Sequence, residues 1–182
     1  MKVIKLFLLP ILVASLMAAC AHIEEHDIAP ADVSPAQSWG QAKNVTQLKH
    51  LYFADQPDAA ALEIAREKGV VAVINLRNPS EMNWDEQAAV EGLGMKYYNI
   101  PLLTAAPTFD PAVVAQIEAA VAAQHHAPVL LHCSSSNRVG AWLAIHLADK
   151  HQMDQEQALA VARKAGLTKQ GLEDRVKRYW QQ

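Results

Sequence analysis

The residues best suited to chemistry lie in one short segment of the sequence, where a cysteine is followed five positions later by an arginine. The segment reads His-Cys-Ser-Ser-Ser-Asn-Arg-Val-Gly and runs from His132 to Gly140. A cysteine thiolate is a strong nucleophile. A guanidinium can hold two oxygens of one oxyanion in a bidentate fork. The spacing therefore predicts a site in which Arg138 binds an oxyanion and Cys133 attacks it.

The elements on either side of this segment favour an anion site. Residues 128–132 form an apolar run typical of a buried strand, and Val139, Leu143 and Leu147 trace one stripe of a helix. Where a strand turns into a helix, the first helical N–H groups have no internal partner and carry partial positive charge. A thiol placed there ionises more readily than a free cysteine. The predicted oxyanion-binding residues are Ser134, Ser135, Ser136, Asn137, Val139 and Gly140.

The rest of the chain alternates strand-like and helix-like segments. Alternation without internal repeats predicts an α/β fold with a single, mostly parallel central sheet flanked by helices. Strands are predicted at residues 45–47, 51–53, 70–76 and 96–100, and helices at residues 57–69, 81–93, from 111 onward, 154–165 and 168–180.

The segment around Cys133 resembles the active-site loop of the protein tyrosine phosphatase superfamily, in which His-Cys, a spacer and Arg hold a phosphate. The closer similarity is to its small, bacterial, dual-specificity-like branch, of the beta-lactamase hydrolase-like phosphatase type. Three further motifs at residues 51–57, 73–77 and 98–101 are similar to that branch and occur in the same order. The resemblance covers most of residues 49–147.

The resemblance implies a three-layer, cysteine-phosphatase-like architecture and an enzyme that needs neither a metal nor a cofactor. Cys133 would be the nucleophile that forms a phosphocysteine intermediate, and Arg138 would clamp the phosphate. The implied partner is a phosphorylated protein or a small phosphomonoester, and we expect the protein to be a monomer.

The general acid is expected on a different loop. In the superfamily, an aspartate before the cysteine strand protonates the leaving oxygen, and the corresponding loop here offers Asp110. Asp110 also precedes Pro111, so capping of the next helix is the alternative role. Glu81 and Asp85 are rival carboxylates elsewhere. We list Asp110 as the predicted catalytic acid.

Three features of the loop depart from the superfamily. Four residues separate Cys133 from Arg138, where most members have five, and rhodanese-like sulfurtransferases share this shorter spacing. Ser136 takes a position that is commonly glycine, so a left-handed backbone there would be strained. Val139 takes a position where many relatives have a hydroxyl that stabilises the leaving thiolate. The alternatives are a rhodanese-like sulfurtransferase and a catalytically inactive, phosphate-binding pseudophosphatase.

The N-terminus is predicted to direct export. Residues 1–19 have the lysines, apolar run and small residues of a signal peptide. Leu-Met-Ala-Ala-Cys at residues 16–20 resembles a bacterial lipoprotein signal, in which the cysteine, here Cys20, is lipidated; plain secretion and an uncleaved anchor are the alternatives. Residues 20–43 are predicted to be a flexible tether and residues 44–182 the folded domain. We expect a lipid-anchored protein of the bacterial cell envelope, with its domain in the periplasm.

Composition limits the partners. The 182 residues carry a formal net charge of -3 and no block of Lys or Arg, so nucleic acid is not an expected partner. The His-Ile-Glu-Glu-His segment at residues 22–26 lacks a glutamate directly after its first histidine, and no metal site is predicted. We expect His125, His126, His146 and His151 to be solvated or part of the core.

Overall fold

The computed structural model describes residues 28–182; the predicted signal peptide, Cys20 and the start of the predicted tether lie outside the described residues. Within that range, six strands form one sheet in the order β1-β2-β3-β6-β4-β5. β1, β2 and β3 are antiparallel neighbours, whereas β3, β6, β4 and β5 run parallel. The strands are β1 (Gln37–Trp39), β2 (Ala42–Leu48), β3 (Leu51–Ala54), β4 (Ala72–Asn75), β5 (Lys96–Asn99) and β6 (Val129–His132).

Helices cover both faces of the sheet and complete three layers. They are α1 (Ala59–Glu67), α2 (Glu86–Gly92), α3 (Pro111–Ala122), α4 (Asn137–His151), α5 (Gln155–Lys164) and α6 (Gln170–Tyr179). Across residues 28–182, none of them has the length and apolarity needed to cross a bilayer. One buried apolar cluster lies between the sheet and α1 and α2, and another between the sheet and α3 to α6. The predicted α/β fold is therefore confirmed.

The strand before the chemical segment lies inside the parallel part of the sheet. β6 is flanked by β3 and β4, and all of its residues are buried. Leu130 packs in the cluster with α1 and α2, and Leu131 packs in the other cluster. Burial on both faces explains the continuous apolar run of the sequence. Cys133 follows β6 at the C-terminal edge of the parallel strands, where α/β sheets place their ligands.

The folded part begins before the predicted boundary at residue 44. β1 pairs with β2, which itself starts at residue 42. Trp39 is 4% exposed and packs on Tyr52, with 5.1 Å between the ring centroids. Pro30–Asp32 already forms a 3-10 turn, and Val33 is buried. The predicted tether over residues 20–43 is therefore wrong from residue 30 onward. Its few apolar residues are too widely spaced to show a period, although tertiary contacts bury them.

The predicted helix over residues 81–93 is shorter than expected. α2 begins only at Glu86, and the Asp85 carboxylate caps it by accepting from Ala88 N–H at 3.0 Å. Pro79–Glu81 forms a separate 3-10 turn. This break lets the Glu81 side chain reach the loop that follows β6.

Candidate active site

The loop after β6 passes directly into α4 through a strained residue. Ser136, at the N-cap position of α4, has φ +60°, the left-handed conformation that favours glycine. The residue is 1% exposed, and its hydroxyl donates to the Asn44 carbonyl at 3.4 Å. Surrounding contacts thus hold the loop in a conformation that serine disfavours, as the sequence anticipated.

The turn between α5 and α6 packs closely against the Cys133 loop and the start of α4. Two glycines allow this approach, Gly166 in the turn and Gly140 in α4. A Cβ at Gly166 would lie 2.5 Å from Ser136 Cβ, and a Cβ at Gly140 would lie 2.8 Å from Leu167 N. Side chains at these positions would push the turn away. Gly140 N–H also donates to the Ser136 carbonyl at 2.9 Å as part of α4. Gly140 therefore has a packing role and a backbone N–H that is engaged within α4, and its predicted oxyanion-binding role stays a prediction.

The Asn137 side chain locks the same two segments together. Its Oδ1 accepts from the backbone N–H groups of Thr168 at 2.8 Å and Lys169 at 2.7 Å, and its Nδ2 donates to the Ser135 carbonyl at 3.0 Å. What Asn137 can still offer an oxyanion is its backbone N–H.

A run of backbone donors is available in the loop. Cys133 N–H donates to the Ala54 carbonyl at 3.3 Å, and the next backbone donor with a protein acceptor is that of Gly140. The N–H groups of residues 134–139 have no acceptor within residues 28–182. They include the first three amides of α4, where the helix dipole adds positive charge. Val139 contributes only its amide, since its side chain is fully buried in the core.

The Arg138 guanidinium is fixed by Glu81. Its two terminal nitrogens donate to the two Glu81 oxygens at 2.7 Å each, and one also donates to Ser134 Oγ at 2.9 Å. The hydrogen bonds from Arg138 lower the pKa of Glu81 to about 2, against an opposing effect of burial. Burial acts to lower the pKa of Arg138, but the hydrogen bonds with Glu81 and the charge of Cys133 outweigh it and raise that pKa. Arg138 is therefore a charged, oriented group beside the sulfur.

A buried carboxylate and imidazole lie behind the loop. His132 Nε2 is 2.5 Å from Glu86 Oε1, and neither side chain is exposed. The two atoms are close without being aligned as a hydrogen bond. The other Glu86 oxygen accepts from Gln56 Nε2 at 3.0 Å and from Asn75 Nδ2 at 3.2 Å. The burial of Glu86 could not be predicted from the sequence, because a glutamate in the first turn of a helix is usually solvated.

Asp110 lies at the N-cap of α3. Its carboxylate accepts from Ala112 N–H at 2.8 Å, and the residue is exposed. The capping alternative is therefore what the structure shows, and the role of general acid stays a prediction. Among the residues that the structure describes, no group of three or more His, Cys, Asp or Glu side chains is arranged to hold a metal ion.

Known proteins share this kind of domain. The model of the family described as "Beta-lactamase hydrolase-like protein, phosphatase-like domain" matches residues 43–150. Among curated proteins, no sequence matches this chain.

Solved structures share the fold at low sequence identity. P. aeruginosa TpbA is 23% identical with a TM-score of 0.61, over 81% of this chain and 91% of TpbA. A cysteine-to-serine variant of TpbA in complex with pTyr is 20% identical with a TM-score of 0.61, over 80% and 90% of the two chains. PTPMT1 in complex with PI(5)P is 14% identical with a TM-score of 0.60, over 73% and 91%. These similarities show the three-layer fold.

Proposed function

We propose that this chain, which belongs to the family of phosphatase-like domains of beta-lactamase hydrolase-like proteins, is a phosphomonoester hydrolase that uses Cys133 as its nucleophile. One observation carries the proposal. The unpaired N–H groups of residues 134–139 and the Arg138 guanidinium, oriented by Glu81, surround a cysteine at a helix N-terminus. This is a preorganised set of donors for a phosphate.

The chemistry takes two steps. The Cys133 thiolate attacks phosphorus, an S–P bond forms, and the P–O bond to the leaving group breaks; the leaving oxygen takes a proton from water. A water oxygen then attacks phosphorus, the S–P bond breaks, and inorganic phosphate and the thiolate are released. Arg138 and the backbone N–H groups stabilise the phosphoryl oxygens in both steps.

The second step needs help that Val139 cannot give. Its side chain is buried and has no hydroxyl to stabilise the departing thiolate. Ser134 Oγ lies on the loop, 2.9 Å from Arg138, and we assign this role to it. If Ser134 does not act, the phosphocysteine accumulates and hydrolysis stops after one turnover. A pseudophosphatase, the inactive alternative, would bind phosphate without forming this intermediate. Sulfurtransferase activity is the second candidate function, because only four residues separate Cys133 from Arg138.

The substrate class and location extend the proposal. The pTyr complex of TpbA and the PI(5)P complex of PTPMT1 support a phosphomonoester, on a protein or on a small molecule. Dual specificity is proposed from the resemblance of the Cys133 loop alone. The lipoprotein-type signal ending at Cys20 supports a lipid-anchored protein in the periplasm, and we propose that it acts as a monomer.

The deciding experiment is hydrolysis of p-nitrophenyl phosphate by the purified protein. We expect phosphate release that orthovanadate inhibits, that a chelator leaves unchanged, and that Cys133→Ser abolishes. Cys20→Ser is the matched control, because it changes the other cysteine and should lose only the lipid. Hydrolysis by Cys133→Ser, or hydrolysis that depends on a metal, would refute the proposal.

The same protein distinguishes the alternatives. Transfer of sulfur from thiosulfate to cyanide, with a persulfide on Cys133, would identify a sulfurtransferase. Tight phosphate binding without turnover would identify a pseudophosphatase. Incorporation of labelled palmitate that Cys20→Ser removes would establish the anchor.

A further inference from the structure

A cavity lies at the end of the sheet opposite Cys133. It has a volume of about 670 Å³, within the range of small-molecule sites. Its walls come from the β2–β3 turn, the C-terminal half of α3 and the C-terminal half of α4. The backbone carbonyl of His50, in that turn, accepts from the N–H of Val129, the first residue of β6, at 3.0 Å. The length of β6, about 13 Å, therefore separates this histidine cavity from the catalytic loop.

The floor of the histidine cavity is apolar. Among the aliphatic side chains that line it, five belong to residues that are at most 7% exposed. They lie in the same hydrophobic cluster, so the floor is a rigid part of the core. These residues are Leu48, Leu51, Val121, Leu143 and Leu147. An apolar body of a ligand would be desolvated against them.

The rim is rich in basic groups and poor in acidic ones. Its basic residues are Lys49, His50, His125, His126, Lys150 and His151. Glu118 is the carboxylate that lines the cavity, and its Oε2 lies 2.8 Å from Nδ1 of His146, which is already stacked on Trp142 at 4.9 Å. The Glu118 carboxylate is thus engaged with His146, and the described lining residues include no second carboxylate for Lys49 or Lys150.

Mutual repulsion among these groups is evident at His50. The pKa of His50 is lowered, first by burial and then by the charges of His126, His146 and Lys49. The rings of His50 and His126 meet edge to face, 5.2 Å apart. An anion at this rim would relieve the repulsion and favour the protonated imidazoles.

The rim also holds strained backbone. Lys49, His125 and His126 have φ values of +53°, +51° and +65°, a left-handed conformation that few side chains adopt. Such strain persists where surrounding structure holds it, and it clusters at ligand clamps. Here it brings three basic residues from two turns to one opening.

We propose that the histidine cavity binds a small organic anion, a carboxylate with an unbranched apolar body. The body lies on the leucine and valine floor, and the carboxylate accepts hydrogen bonds from the imidazole and ammonium groups of the rim. The charge of the rim selects the anion, and the apolar floor selects an aliphatic chain.

The test is calorimetric titration of the full chain with sodium decanoate, after orthovanadate has filled the catalytic loop. We expect one site and binding that is about tenfold weaker for decanol. Equal affinity for decanol and decanoate, or no binding of decanoate, would overturn the proposal.

Variants locate the site. Ala119→Trp should abolish binding, because this exposed alanine of α3 lines the cavity and a tryptophan would fill it. Ala115→Trp, one turn earlier on the exposed face of α3, is the control and should bind normally. Thermal unfolding should be alike for both. Binding that survives Ala119→Trp would refute this location.

A second pair of variants tests the charge. Lys49→Asn with Lys150→Gln removes two rim cations and should weaken decanoate binding about tenfold. Lys68→Gln with Lys164→Gln removes two exposed lysines outside the cavity and should have no effect. If Zn²⁺ instead occupies the cavity and excludes decanoate, the assignment to an organic anion is wrong.

Discussion

The polar groups at the two ends of β6 differ in whether they have partners within the protein. At the C-terminal end, the charged side chains around the loop have defined partners: Arg138 is forked with Glu81, and His132 faces Glu86. At the N-terminal end, basic side chains outnumber Glu118 at the rim of an open apolar cavity. The first arrangement sets its geometry before a substrate arrives, as stabilisation of a charged transition state requires. The second leaves charge for a ligand to neutralise.

The largest difference should appear when a glutamate is removed from each end. Glu86→Ala removes the carboxylate beside the buried His132 and an oxygen that accepts from both Asn75 and Gln56, and should cost about 3–5 kcal/mol of folding free energy. Glu118→Ala disrupts a similar contact with His146 whose side chains are 16% and 15% exposed, and should cost about 1 kcal/mol or less. Urea unfolding followed by tryptophan fluorescence measures both. Equal losses of folding free energy in the two variants would show that burial does not distinguish the Glu86–His132 pair from the Glu118–His146 pair.

Removing the guanidinium fork should affect the rate more than stability. Arg138→Lys keeps the charge but cannot hold two oxygens in one plane, so kcat/KM for p-nitrophenyl phosphate should fall by about 10²–10³-fold. Lys150→Gln at the other end should leave kcat/KM unchanged. A small effect of Arg138→Lys would remove the clamp from the proposed mechanism.

The ion pair of Glu81 should make stability depend on acidity. Its folded-state pKa of about 2 is below the ordinary value of 4.5, so its contribution is present above about pH 4.5 and is lost as the pH falls towards 2. Because the carboxylate is 33% exposed, solvent screening limits this contribution to about 1–2 kcal/mol.

Glu81→Gln should flatten that part of the stability profile. Urea unfolding at several pH values measures the slope for both proteins, and Glu118→Gln is the control from the cavity end. If Glu81→Gln retains the slope of the unmodified protein, another carboxylate is responsible.

Relief of strained backbone should distinguish the two ends again. His126→Gly, at an exposed position with φ +65°, should stabilise the protein by about 0.5–1 kcal/mol. Ser136→Gly removes similar strain but also loses buried contacts with Gly166 and the hydroxyl bond to Asn44, so its net effect should be close to zero. Thermal unfolding compares them; a larger gain for Ser136→Gly would mean that its contacts contribute little.

The smallest effect is expected at Asp110. Asparagine caps helices as well as aspartate does, so Asp110→Asn should change stability by less than about 0.5 kcal/mol and leave turnover unchanged. Comparing aryl and alkyl phosphates tests this expectation. A loss confined to alkyl phosphates, which have poor leaving groups, would assign the proton-donor role to Asp110.

Features that depend on neighbouring residues were predictable from the sequence. The apolar run of β6, the polar loop from Cys133 to Arg138 and the Asp110-Pro111 start of α3 each lie within a few positions. Hydrophobic burial and helix capping act over such distances, so the fold class and the candidate nucleophile followed from them. The strain at Ser136 was also anticipated from residue type.

Features that join distant residues were decided only by tertiary structure. Glu81 lies 57 positions from Arg138, and a solvated glutamate looks the same in sequence as one buried like Glu86. The four histidines expected to be solvated or in the core line one cavity, because two helices and a turn meet there. By itself the sequence determined which groups can react; packing decided which of them have partners and which face an open space.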